Sequence, residues 1–137
     1  MTAKEYLGQA YRIDQRINSK LEQIASLRAL IYKVTTTLSD TPKGTSDSSS
    51  RESIIAKMMD LETEINNDID KLVELKHNIM DLINKVDNPE LHIVLEERYL
   101  CFKTWEQIAV DMGYSLRNIY MLHASALKKI PMAETLQ

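Results

Sequence analysis

The sequence predicts an all-α protein: a long antiparallel helical hairpin, coiled-coil-like in its patterning, followed by a small three-helix domain with a helix-turn-helix. Three observations predict it. Two long stretches repeat apolar residues at steps of three and four, a polar stretch at residues 39–51 separates them, and the last third carries capping residues at the spacing of short helices. Only 3 Gly and 3 Pro interrupt a chain otherwise rich in Ile, Leu, Met, Lys, Glu and Asp, a mixture that favours helix.

The first seam runs through Ala3, Tyr6, Ala10, Ile13, Ile17, Ile24, Leu27, Ile31, Val34 and Leu38, with Lys20 in place of one apolar residue. Alternation of three and four is the heptad spacing of a helix that must bury one stripe. Residues 39–51, with Pro42, Gly44 and a run of serines, then predict a polar connecting loop. A second seam follows at Ile54, Met58, Leu61, Ile65, Leu72, Leu75, Ile79, Leu82 and Val86, interrupted by Asp68. Folding the two seams against each other with Leu38 opposite Ile54 sets Leu27 by Ile65 and Ile17 by Leu75. Lys20 and Asp68 then fall in neighbouring layers. Either they pair and help fix the register, or each reaches out to water. A second apolar row (Leu7, Leu21, Leu30, Ile55, Met59, Ile69, Ile83) exceeds what a two-helix seam needs. It covers the carboxy-terminal domain or packs on another hairpin. A two-helix rod buries little core, so a homodimer through the hairpin is expected.

The hairpin domain is expected to span residues 1–88, the carboxy-terminal domain 89–131, and a tail 132–137. Asn88 is an N-cap, Pro89 suits the first helical position, and Leu91, Val94, Leu95, Tyr99 and Phe102 form the inward face of the helix that begins there. Thr104 with Gln107 makes a capping box for a helix whose Trp105, Ile108, Ala109 and Met112 turn inward. Gly113 ends that helix in the left-handed region, and Ser115 caps the next. Helix, short turn and helix is the arrangement in which the second helix enters the DNA major groove.

The run Leu95-Glu-Glu-Arg-Tyr-Leu, then TWEQIAVDMGYS, then Ala126-Leu-Lys-Lys-Ile130, resembles region 4 of bacterial sigma factors, the domain that reads the upstream promoter element. The whole layout is similar to small phage and prophage proteins of Gram-positive bacteria that join a helical hairpin to such a domain. The close match covers about residues 91–130. The resemblance implies a transcriptional regulator bound to double-stranded DNA, with a contact to RNA polymerase as a further implied partner. Its groove-facing positions would be Ser115, Leu116, Arg117, Tyr120, Met121 and Ala124, with Lys128 and Lys129 a turn further along, in reach of phosphate. Because these residues leave no room for the promoter-melting region, activity as a complete sigma factor is not expected.

Charge tempers this. The chain is net -3, an unusual balance for a free-standing DNA binder. Ser115 to Ile130 nevertheless holds Arg117, Lys128, Lys129 and His123 and no acid. Few phosphate-neutralising groups mean a weak electrostatic term, so dimerisation or a polymerase contact would have to supply affinity.

No catalytic chemistry is expected. His77, His92 and His123 lack partners at metal-ligand spacing, and no Gly-rich phosphate loop or nucleophile motif is present, so no metal or cofactor is expected. The lone Cys101 excludes an internal disulfide and reads as a small buried hydrophobe at a helix end. With no apolar run of membrane or signal-peptide length in the sequence, a cytoplasmic location is expected. Two further function classes stay open: a small terminase-like DNA-packaging subunit, and a protein–protein adaptor that does not bind DNA.

Overall fold

In the computed structural model, residues 1–38 and 45–131 are described. Six helices follow in order: α1 (Ala3–Leu7), α2 (Gln9–Leu38), α3 (Thr45–Ile83), α4 (Pro89–Tyr99), α5 (Trp105–Met112) and α6 (Leu116–Lys128). There is no strand among the described residues, so the all-α prediction holds.

Both heptad seams are buried or half-buried at every described position, from Ala3 to Val34 and from Ile54 to Val86. The single first helix expected from Ala3 is divided at Gly8, which stays near helical geometry (φ -74°, ψ -9°) and donates its N–H to the Lys4 carbonyl at 3.0 Å. The expected loop at 39–51 is corrected. Helix α3 already begins at Thr45, and residues 39–44 lie outside the described residues, as does the expected tail at 132–137. Thr, Ser and Asp are poor helix-interior residues, but the same preference for capping that favours turns also suits them to a helix start.

Packing divides the chain at other places than residue 88. One compact unit comprises Asp14–Lys71, the other Met1–Ile13 with Leu72–Gln137. Residues Met1–Ile13 and the end of α3 thus belong with the carboxy-terminal helices. Their shared core is Leu7, Ala10, Ile79, Leu82, Ile83, Val86, Leu91, Leu95, Tyr99, Ala126 and Ile130. Residues 84–88 separate α3 from α4, and Val86 within them is 3% exposed. Leu7 and Ile83 of the second apolar row are fully buried, so in this unit that row covers the carboxy-terminal helices.

In the unit formed by residues 14–71, α2 and α3 run antiparallel. The Lys20 ammonium lies 2.6 Å from one Asp68 oxygen and Arg16 3.1 Å from the other, which decides for pairing over separate exposure. Lys20 and Asp68, expected in neighbouring layers of the seam, thus meet, and Leu27 and Leu61 line a groove beside them. Leu21, Leu30, Ile55, Met59 and Ile69, the rest of the second row, are 41–62% exposed.

Candidate nucleic-acid interface

Helices α4, α5 and α6 enclose a second small core of Val94, Ile108, Ala109 and Ile119, flanked by Trp105, Met112, Tyr114 and Leu122. Ala109 is small where α5 meets its neighbours. Each helix end is specified by local chemistry. Asn88 Oδ1 accepts from the N–H groups of Glu90 and Leu91, with Pro89 in the first turn of α4. Thr104 and Gln107 exchange side-chain and backbone bonds of 3.2 and 2.9 Å, the reciprocal capping box that satisfies two orphan donors. Gly113 sits at φ 72°, ψ 30°, and the N–H groups of Gly113 and Tyr114 return to the carbonyls of Val110 and Ala109. Ser115 Oγ accepts the Asn118 N–H and starts α6. Lys103 bridges Glu97 on α4 and Asp111 on α5, at 3.2 and 2.8 Å.

A Cβ at Gly113 would meet nothing within 4 Å. Only the left-handed backbone opposes a side chain there. Gly113→Ala is therefore expected to cost about 1–2 kcal/mol, with the fold retained. Chemical denaturation of the two proteins checks it; a loss below a few tenths would mean that the turn relaxes to another geometry.

The turn presents α6. Arg117, Tyr120, Met121, Ala124 and Lys128 are all exposed, and their spacing places them on one helix face. Tyr120 and Met121 are 46% and 61% exposed. Ser115 is exposed but spends its hydroxyl on the cap. Leu116 is half-buried, and Lys129 forms the C-cap beyond α6. The expected positions thus come together, with Leu116 at the margin and Tyr120 only half free, its ring standing edge-on to Trp105 at 5.7 Å.

His123 does not add to the charge of this face. It is 8% exposed, its Nε2 lies 2.6 Å from the Tyr99 hydroxyl, and Trp105 packs edge-on at 4.5 Å. Burial, helped by the Lys4 and Arg98 charges, lowers its pKa to about 4, so the imidazole is neutral at pH 7. Burial likewise pushes Tyr99 up to about 12. Two neutral rings therefore share this bond, and the imidazole tautomer decides which of them donates. The face carries Arg117 and Lys128, with Lys129 beside them. The buried stripe Ile119, His123, Ala126 and Ile130 runs at steps of four, three and four, a sequence signal that marks His123 as a core residue.

Cys101 is exposed, contrary to expectation. Helix α4 stops at Tyr99, and the inward positions of the connection go to Leu100 and Phe102 on either side of it. His77 and His92 lie beside Asp81 and Glu96 of their own helices, and no group of three potential metal ligands occurs among the described residues. No helix among the described residues is long and apolar enough to cross a membrane. The chain matches no protein-family model, no curated protein and no solved structure.

Proposed function

We propose that the protein is a DNA-binding transcriptional regulator that lays α6 in the major groove. One observation carries this reading: the exposed face of α6 is continuous, bears cations without a single acid from Ser115 to Ile130, and follows a rigidly capped turn. The resemblance to sigma region 4 points the same way. Arg117 reads a base edge, guanine being the commonest partner of arginine, while Tyr120, Met121 and Ala124 make apolar contact and Lys128 and Lys129 meet phosphates. With so few cations, a second copy paired through the exposed apolar row of the hairpin, or a contact with RNA polymerase, supplies the remaining affinity. The reading includes no catalytic step.

Electrophoretic mobility shifts on the DNA upstream of the protein's own coding sequence test it. Arg117→Ala is expected to weaken binding by about 1–3 kcal/mol, roughly 5- to 150-fold, and to relax specificity. Lys128→Ala should weaken all sequences alike and reduce the salt slope by about 1. Wild-type affinity in both variants would remove α6 from the interface. A ring of subunits in solution would favour DNA packaging instead.

A further inference from the structure

Apart from the α6 face, the unit that contains it has a cleft of about 360 Å³, within the range of small-molecule sites. Its walls are Tyr11, Phe102 and Trp105 on the ring side, and Lys4, Arg12 and Arg98 on the charged side, with Glu5 the one acid among the lining residues. We propose that this cleft binds a small aromatic anion, a single planar ring system carrying a phosphate or carboxylate. It goes beyond the DNA reading and does not depend on it.

The charge is uncompensated. Lys4 and Arg12 form no ion pair among the described residues, and three cations face one carboxylate in a chain whose net charge is -3. Arg98 is held in place, its guanidinium 4.3 Å over the Trp105 ring and one nitrogen donating to the Lys103 carbonyl at 3.0 Å. A fixed planar donor beside a fixed ring suits an anion attached to something flat.

The rings are placed at a cost. Phe102 is the one non-glycine residue with positive φ among the described residues, at 58°. A bulky side chain there is strained by about 1–2 kcal/mol. The strained backbone sets the Phe102 ring edge-on to Tyr11 at 5.7 Å and beneath the Lys76 ammonium at 4.6 Å. Tyr11 is nonetheless 49% exposed, so its ring retains an open surface for stacking. The volume admits one ring system with its anionic group, not a polymer.

Trp105 is the chain's sole tryptophan and lines the cleft, so its fluorescence reports occupancy directly. The full-length protein, without DNA, is titrated with adenosine monophosphate, benzoate, inorganic phosphate and benzyl alcohol. A saturable change with the nucleotide or with benzoate is expected, at concentrations where phosphate and benzyl alcohol have little effect. Which of the two responds identifies the anion source. Arg12→Glu and Tyr11→Ala, both at exposed positions, should each weaken the response at least about tenfold, or 1.4 kcal/mol, with helical circular dichroism intact. No saturable change with either aromatic anion, an equal response to phosphate or benzyl alcohol, or indifference to Arg12→Glu would overturn the proposal. Because DNA is absent, either result leaves the α6 reading to be judged by its own mobility shifts.

Discussion

Replacing Asp68 with alanine is expected to destabilise the hairpin unit by about 3 kcal/mol, the lower part of the range for breaking a buried ion pair. The carboxylate is 3% exposed and accepts from Lys20 at 2.6 Å and Arg16 at 3.1 Å. The hydrogen bond from Lys20 holds the Asp68 pKa below its ordinary value against the opposing effect of burial. Alanine leaves the Lys20 ammonium, whose side chain is 18% exposed, without a counter-ion. Lysine can extend its stem toward water, which keeps the cost from reaching the upper part of the range. Arg16, at 59% exposure, simply returns to solvent and adds little.

The control is the double variant Lys20→Met, Asp68→Leu. It should recover most of the lost stability or exceed wild type, because an apolar pair in the seam carries no desolvation penalty. If the polar pair helps specify register, the same variant should lose uniqueness, showing broadened amide spectra or a changed oligomeric state. Urea denaturation of the wild type, the Asp68→Ala variant and the double variant measures the three stabilities to be compared. A single-variant loss under about 1 kcal/mol would mean that the pair is solvent-screened despite its burial.

Most of the fold is legible in the sequence because helix pattern is local. The seams, the Asn88 and Ser115 caps, the Thr104–Gln107 box and the left-handed Gly113 each follow from residues within a few positions. What departs from expectation is non-local or ambiguous. Serine-rich sequence serves loop and helix start equally, so α3 starts earlier than its composition predicts. Cys101 is exposed rather than buried because helix α4 ends just before it, where periodicity no longer governs. The α6 face is readable as a face, but two features are not. The neutral state of His123 depends on burial by residues from other helices, and the cleft joins residues 4–12 to residues 98–105, which no sequence period connects.

That same His123 makes the stability of its unit depend on acidity. An unfolded histidine titrates near 6.5, whereas burial among Tyr99 and Trp105, with the Lys4 and Arg98 charges nearby, lowers the folded value to about 4. Between those values the unfolded chain binds the proton and the folded chain does not. Stability is therefore full above about pH 6.5 and falls as pH drops toward 4. The loss approaches about 3 kcal/mol at and below the folded value, because each pH unit separating the two titrations is worth about 1.4 kcal/mol. Asp68 acts in a lower window: its carboxylate contribution is present above the ordinary value of 3.8 and disappears only as pH falls through its depressed one. The two are separable. Denaturation measured at about pH 7 and about pH 4.5 should show most of the histidine loss and little of the aspartate loss. His123→Gln, which keeps a polar partner for the Tyr99 hydroxyl without an ionisable group, should flatten that difference while leaving the contribution of Asp68 unchanged. Should His123→Gln retain the full wild-type loss across that interval, another group would be responsible. Should the imidazole resonance of the folded protein titrate near 6.5, the buried neutral state would be wrong.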